Sequence, residues 1–183
     1  MAAPKKKELI TLGDAASMKA IAHPARYRVV EELYNGRELT ATQAAELCGL
    51  TPSAMSYHLR TLERYGLIRA GESADGRERP WRKAVDDIAF ANTEGVIGPA
   101  TAQAILGNVL ASVERLLRRS SPTSSPFGVT ATQGSLRLTD EQGTELDRRI
   151  GAVIAEFEAD EAPPGPDAPP AREYFWIRGT REV

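Results

Sequence analysis

The chain has 183 residues, 26% of them charged and 42% hydrophobic, a composition that predicts a globular chain rather than a disordered one. No apolar stretch approaches the roughly 18–20 residues needed to cross a bilayer, and the basic start lacks the apolar core of a secretory signal, so a soluble, cytoplasmic protein is expected. One cysteine, Cys48, and two histidines exclude a disulfide framework and a multi-thiolate zinc site. The net charge of −2 is unevenly placed: residues 1–85 carry 14 Lys/Arg against 10 Asp/Glu, and residues 86–183 carry 9 against 15. A basic half joined to an acidic half is expected when only one of them meets a polyanion.

In chain order, residues 1–13 read as a flexible tail, with Lys5, Lys6 and Lys7 as a solvated run. Asp14 suits the cap of a short helix, and Pro24 the first turn of a second, which Asn35 and Gly36 end. Thr40 and Gln43 have capping-box spacing ahead of a short helix through Cys48. After the break at Gly49, Thr51 caps a further helix over 52–65, with Pro52 at its first position and apolar residues at Met55, Leu59 and Leu62. Two helices joined by a short glycine-containing turn form a helix-turn-helix. Strands are predicted at 67–71 and 81–85, with Asp75-Gly76 as the turn signal between them. A hairpin directly after a helix-turn-helix is the organisation of a winged helix.

Within residues 86–98 a short helix ending at Gly95 is expected. A clearer one follows over 99–119, with Ile105, Leu106, Val109, Leu110, Val113, Leu116 and Leu117 in a two-row stripe expected to form a dimer interface. A Ser/Pro linker (120–127), a strand (129–138) and a helix capped by Thr139 come next. Five prolines crowd residues 163–170, and 173–178 read as an aromatic strand. The fold class is therefore mainly α: a winged helix-turn-helix at 14–85, a dimerisation helix region at 86–121, and a small α+β extension at 122–183.

A helix-turn-helix reads DNA by laying its second helix in the major groove, where base edges display a donor and acceptor pattern. With Met55, Leu59 and Leu62 facing inward, Ser53, Ser56, Tyr57, Arg60 and Arg64 lie on the outer side, and Thr51 leaves helix N-terminal amides for a phosphate. Arg77 and Arg79 in the hairpin loop, with Arg82 and Lys83 on the following strand, suit a flanking backbone or a narrow minor groove. Trp81 is expected to pack at the hairpin base.

With Ala22-His23-Pro24-Ala25-Arg26, Ser56-Tyr57-His58-Leu59 and Gly66-Leu67-Ile68 in this order, residues 14–85 resemble the winged-helix domain of ArsR-type bacterial transcriptional repressors. The resemblance implies a homodimeric DNA-binding repressor with terminal helices at the dimer interface. Metal-sensing relatives carry a Cys-x-Cys pair where this chain has Thr40 and Thr42, and zinc-sensing relatives draw ligands from a C-terminal helix that here contains only Glu114 as a carboxylate. Cys48 then reads as a buried structural thiol, and His23 and His58 as packing or capping groups. No metal and no other cofactor is expected.

The partners expected are a double-stranded DNA operator, a second copy of the chain and an unidentified small-molecule effector, with no membrane. Tyr174, Phe175 and Trp176 suit either an apolar ligand site or staples for the extra helix, and the second is preferred. Neighbouring acids such as Glu31-Glu32 and Asp140-Glu141 read as solvated charge or complements to a helix dipole, so no enzyme is expected. The alternative is a winged-helix protein-interaction module that uses the acidic C-terminal half.

Overall fold

A computed structural model describes residues 8–72, 78–90, 97–119 and 135–160. In chain order they form β1 (Leu9–Leu12), α1 (Ala15–Ala22), α2 (Pro24–Tyr34), α3 (Ala41–Cys48), α4 (Pro52–Arg64), β2 (Ile68–Ala70), β3 (Trp81–Lys83), β4 (Asp87–Phe90), α5 (Pro99–Arg119) and α6 (Asp140–Ala159).

The helix ends fall where the chain supplies caps. Asp14 accepts the amides of Ala16 and Ser17 at the start of α1. Thr40 and Gln43 complete a reciprocal capping box on α3, and Thr51 accepts the Ala54 amide at the start of α4, where Pro52 has no amide to leave unsatisfied. Between α3 and α4 the backbone turns through Gly49, whose φ of 64° lies in the left-handed region that a side chain disfavours. Gly66 does the same after α4, at φ 70°.

Helices α1 to α4 and strand β2 enclose one apolar core. Val29, Leu33, Met55, Leu59, Leu62, Leu67 and Ile68 are buried at its centre, with Ile21 from α1 and Ala44 from α3. Strands β2 and β3 pair antiparallel, Ile68 opposite Lys83 and Ala70 opposite Trp81. Leu39 and Trp81 exchange two backbone hydrogen bonds of 3.1 and 2.8 Å, which joins the chain ahead of α3 to the hairpin. Trp81 is half-buried against the core, as expected.

Two expectations are corrected here. The flexible tail does not extend to residue 13, because Leu9–Leu12 is a strand paired in parallel with Asp87–Phe90. The same pairing replaces the short helix expected to end at Gly95 in the part described, 87–90. Asp86 helps to set the register, accepting the Glu8 amide at 3.0 Å. A parallel pair brings together segments far apart in sequence, and neither four-residue run carries a turn signal that points to the other.

The chain divides into two units, the larger being Lys6–Arg115. In the other, α6 opens with the expected cap: Thr139 and Gln142 exchange hydrogen bonds of 2.9 and 3.3 Å. Glu145 pairs with Arg148 and Arg149, each at 2.7 Å. The described end of the strand expected at 129–138, residues 135–138, is not strand. The proline-rich stretch and the aromatic segment 173–178 lie outside the described residues. Among the described residues no helix is long and apolar enough to cross a membrane.

Candidate nucleic-acid interface

Helix α4 has two unlike faces. Met55, Leu59 and Leu62 are fully buried, and on the other side Thr51, Ser53, Tyr57, Arg60 and Arg64 are exposed, Tyr57 at 65%. The inner row anchors the helix, so the outer row is presented on a rigid element. Ser56 is half-buried, and its hydroxyl donates to the Pro52 carbonyl at 2.8 Å. That leaves only acceptor capacity on its oxygen. Arg60 lies back along the helix, its Nε donating to the Ser56 carbonyl at 3.1 Å.

The hairpin adds cations. Arg69 and Arg82 stand opposite each other across β2 and β3, and both are exposed. Arg79 is exposed just before β3, in the connection between the two strands, while Arg77 lies outside the described residues. Arg69 was not among the residues singled out from sequence, because the strand register that pairs it with Arg82 is not visible there. Lys83 is placed differently from its neighbours: it is half-buried, with Nζ 3.9 Å from Asp86 and 6.0 Å from the centre of the Tyr34 ring. The Tyr34 phenol donates to the Leu67 carbonyl at 2.8 Å, and burial pushes its pKa up to about 12. The hairpin is tied to α3 by the Thr42 hydroxyl, which donates to Glu78 at 2.7 Å. Thr40 and Thr42 thus serve as a helix cap and a hairpin tether.

The run from His23 to Arg26 orients α4 against the first two helices. His23 caps α2 through Nδ1, which accepts the Ala25 amide at 3.2 Å. Arg26 donates to the Lys19 carbonyl at 3.1 Å and to that of Ala20, satisfying acceptors at the end of α1. Its other terminal nitrogen lies 3.4 Å from Nδ1 of His58 on α4. The His23 and His58 rings are in contact, with centroids 4.4 Å apart and planes tilted by 40°. Burial, the nearby Arg26 charge and, for His58, its neighbour His23 all hold these imidazoles below their usual pKa. Both histidines therefore cap or pack, as expected, and Arg26, quoted from sequence only as part of a family motif, has a structural role.

Helix α5 also has distinct faces. Ile105 packs against the core, Asn108 and Ser112 are buried, and the Asn108 amide donates to the Ala22 carbonyl at 3.0 Å. Arg115 pairs with Glu31 at 2.6 Å. Val109, Val113 and Leu116 are half-buried. Leu106, Leu110 and Leu117 are exposed at 51%, 56% and 50%. Cys48 is corrected from a buried to a half-buried thiol, 3.7 Å from the Ala25 carbonyl, with its pKa pushed up by burial.

With this geometry, residues 21–69 match the family described as a helix-turn-helix domain. This stretch of the chain is a helix-turn-helix domain. It contains α2, α3, α4 and the start of the first strand of the hairpin. The domain is similar to the HTH-type transcriptional regulator NmtR of Mycobacterium tuberculosis, 40% identical over 62 residues, which are 32% of this chain and 51% of NmtR. It is also similar to the transcriptional repressor PagR of Bacillus anthracis, 41% identical over 46 residues, 25% of this chain and 46% of PagR. The chain spans about half the length of these curated relatives. Among solved structures, HlyU from Vibrio cholerae is 24% identical with a TM-score of 0.35, covering 52% of this chain and 84% of HlyU. The homodimeric winged helix-turn-helix DNA-binding domain Mb0332 from Mycobacterium bovis is 24% identical with a TM-score of 0.34, covering 55% and 78%. Over the helix-turn-helix domain, the resemblance to ArsR-type regulators is borne out.

Proposed function

We propose that the protein is a sequence-specific DNA-binding transcriptional regulator acting as a homodimeric repressor. The observation that carries this reading is the outer face of α4, where Ser53, Tyr57, Arg60 and Arg64 are exposed above a fully buried row. That helix enters the major groove, and its capped N-terminus, with Thr51 and Pro52, meets a phosphate. Arg69, Arg79 and Arg82 reach the flanking backbone, and Arg77 takes the minor groove or the adjacent phosphates. The repressor role of PagR and the ArsR-type resemblance support the direction of regulation.

Dimerisation is assigned to α5. Leu106, Leu110 and Leu117 lie well around the helix from the buried Asn108 and Ser112, so their own core does not cover them. Exposed leucines repeated along one helix face mark an association surface. A second copy seated there spaces two α4 helices for successive major grooves of a near-palindromic operator. Such a protein needs no catalytic centre, and it acts where the DNA is, in the cytoplasm.

The deciding experiment is fluorescence anisotropy on the DNA upstream of its own gene and on a scrambled duplex, across a salt series. Preferential binding of the upstream duplex, with a salt slope equal to several phosphate contacts per dimer, is expected. Arg60→Ala should weaken upstream binding by about 1–3 kcal/mol and leave scrambled binding less affected. No binding to either duplex at low salt overturns the reading and favours a protein-docking role for the same surface.

A further inference from the structure

Beside the capped start of α2, a half-open cavity of about 390 Å³ lies between α2, the end of α3 and α5. This volume is within the range that holds small organic ligands. Its walls divide by chemistry. Pro24, Ala25, Leu50 and Ala111 supply apolar surface, and Arg28 and Arg115 supply charge, with no carboxylate among the lining residues. The acids that pair with these arginines stand behind them: Glu31 with both at 2.6 Å, and Glu32 with Arg28 and Arg37 at 2.5 and 2.7 Å. Three guanidinium groups thus share two carboxylates, which leaves the cluster with an excess positive charge. The Nε–H of Arg115 is buried and has no acceptor among the described residues, a costly state for a charged donor.

We propose that this cavity is a binding site for a small organic carboxylate with an apolar body, its carboxylate held by Arg115 and its body against Leu50 and the start of α2. The bound anion balances the excess charge of the cluster, and the apolar walls exclude water around the pair. The site uses Ala111 and Arg115 beside the buried row of α5, whereas the exposed leucines lie far around the same helix. Ligand and second copy therefore occupy different faces of α5. Leu50 immediately precedes Thr51, the cap of α4, so the occupant touches the turn that positions that helix. An effect on DNA affinity follows only if the DNA-binding reading above holds; binding in the cavity does not depend on it.

Cys48 lines the cavity and is the one thiol of the chain, so its alkylation reports on occupancy. The full-length protein is treated with iodoacetamide in the presence of benzoate, phenylacetate or hexanoate, with the corresponding amides as neutral controls. At least one carboxylate should slow alkylation several-fold and saturably, and its amide should not. Arg115→Gln and Ala111→Glu should each remove that protection, the second by placing a fixed negative charge at a partly exposed helix position. Circular dichroism identifies a variant that has failed to fold, in which case the other decides. The proposal is overturned if no carboxylate protects, if amides protect equally, or if a folded variant of either kind remains protected. Protection in a protein that binds no DNA leaves the site standing and removes the regulatory reading alone.

Discussion

The His23 and His58 rings meet at 4.4 Å between centroids with planes tilted by 40°, one capping α2 and the other carried on α4, with the Arg26 guanidinium beside them. Three groups able to hold positive charge thus meet at the junction that fixes the pose of α4. Burial and the Arg26 charge disfavour protonation of the two imidazoles.

This arrangement makes stability depend on pH. Each folded pKa lies below the ordinary value of 6.5, so the unfolded chain takes up protons first as pH falls. The stabilisation is complete above about pH 6.5 and is lost as pH falls toward and through the folded pKa values. The melting temperature should therefore drop between about pH 7.5 and 5.5, before most carboxylates titrate. His58→Gln should flatten that dependence. An unchanged slope in the variant would place the proton uptake elsewhere.

Arg69 and Arg82 face each other across β2 and β3 in solvent. Like charges directly opposite on a ladder are mildly destabilising, so Arg69→Ala should leave the melting temperature equal or raise it slightly. On DNA the same change should weaken binding to all sequences alike and lower the salt slope by about one phosphate contact. Anisotropy and a thermal melt on one variant check both halves.

Leu110 is 56% exposed on α5. Leu110→Glu should leave the fold intact, because the side chain meets no core, and should dissociate the proposed dimer. Analytical ultracentrifugation reads the change directly. A dimer that survives Leu110→Glu would move the interface away from this face.

Leu59 is fully buried where α4 meets the core. Leu59→Ala should cost about 2–5 kcal/mol in urea unfolding, the range for deleting a large core side chain. Thr51→Ala removes the α4 cap and should cost about 1 kcal/mol. The contrast tests whether α4 is held by its buried row more than by its cap.

Much of the architecture is written in local signals. The bounds of α2, α3, α4, α5 and α6 follow from Pro24, the Thr40 and Gln43 box, Thr51 with Pro52, Pro99, and Thr139 with Gln142, because caps and proline act within one turn of the residue that carries them. The buried row of α4 follows from helical periodicity, and with it the identity of the exposed face.

What depended on distant partners was not legible. Strand β1 pairs with β4 from the far side of the helix-turn-helix, and four residues cannot announce a parallel neighbour. Arg26 was invisible as a cap because the carbonyls it satisfies belong to the preceding helix. Lys83 and Arg82 are adjacent in sequence, yet strand alternation sends one toward Tyr34 and leaves the other in solvent. Helix α5 shows the division most clearly. Its periodicity marks many apolar positions, but only the tertiary structure sets Asn108 against the Ala22 carbonyl and Arg115 against Glu31. Those two contacts fix the rotation of the helix, and so decide which leucines are left for a partner and which flank borders the cavity.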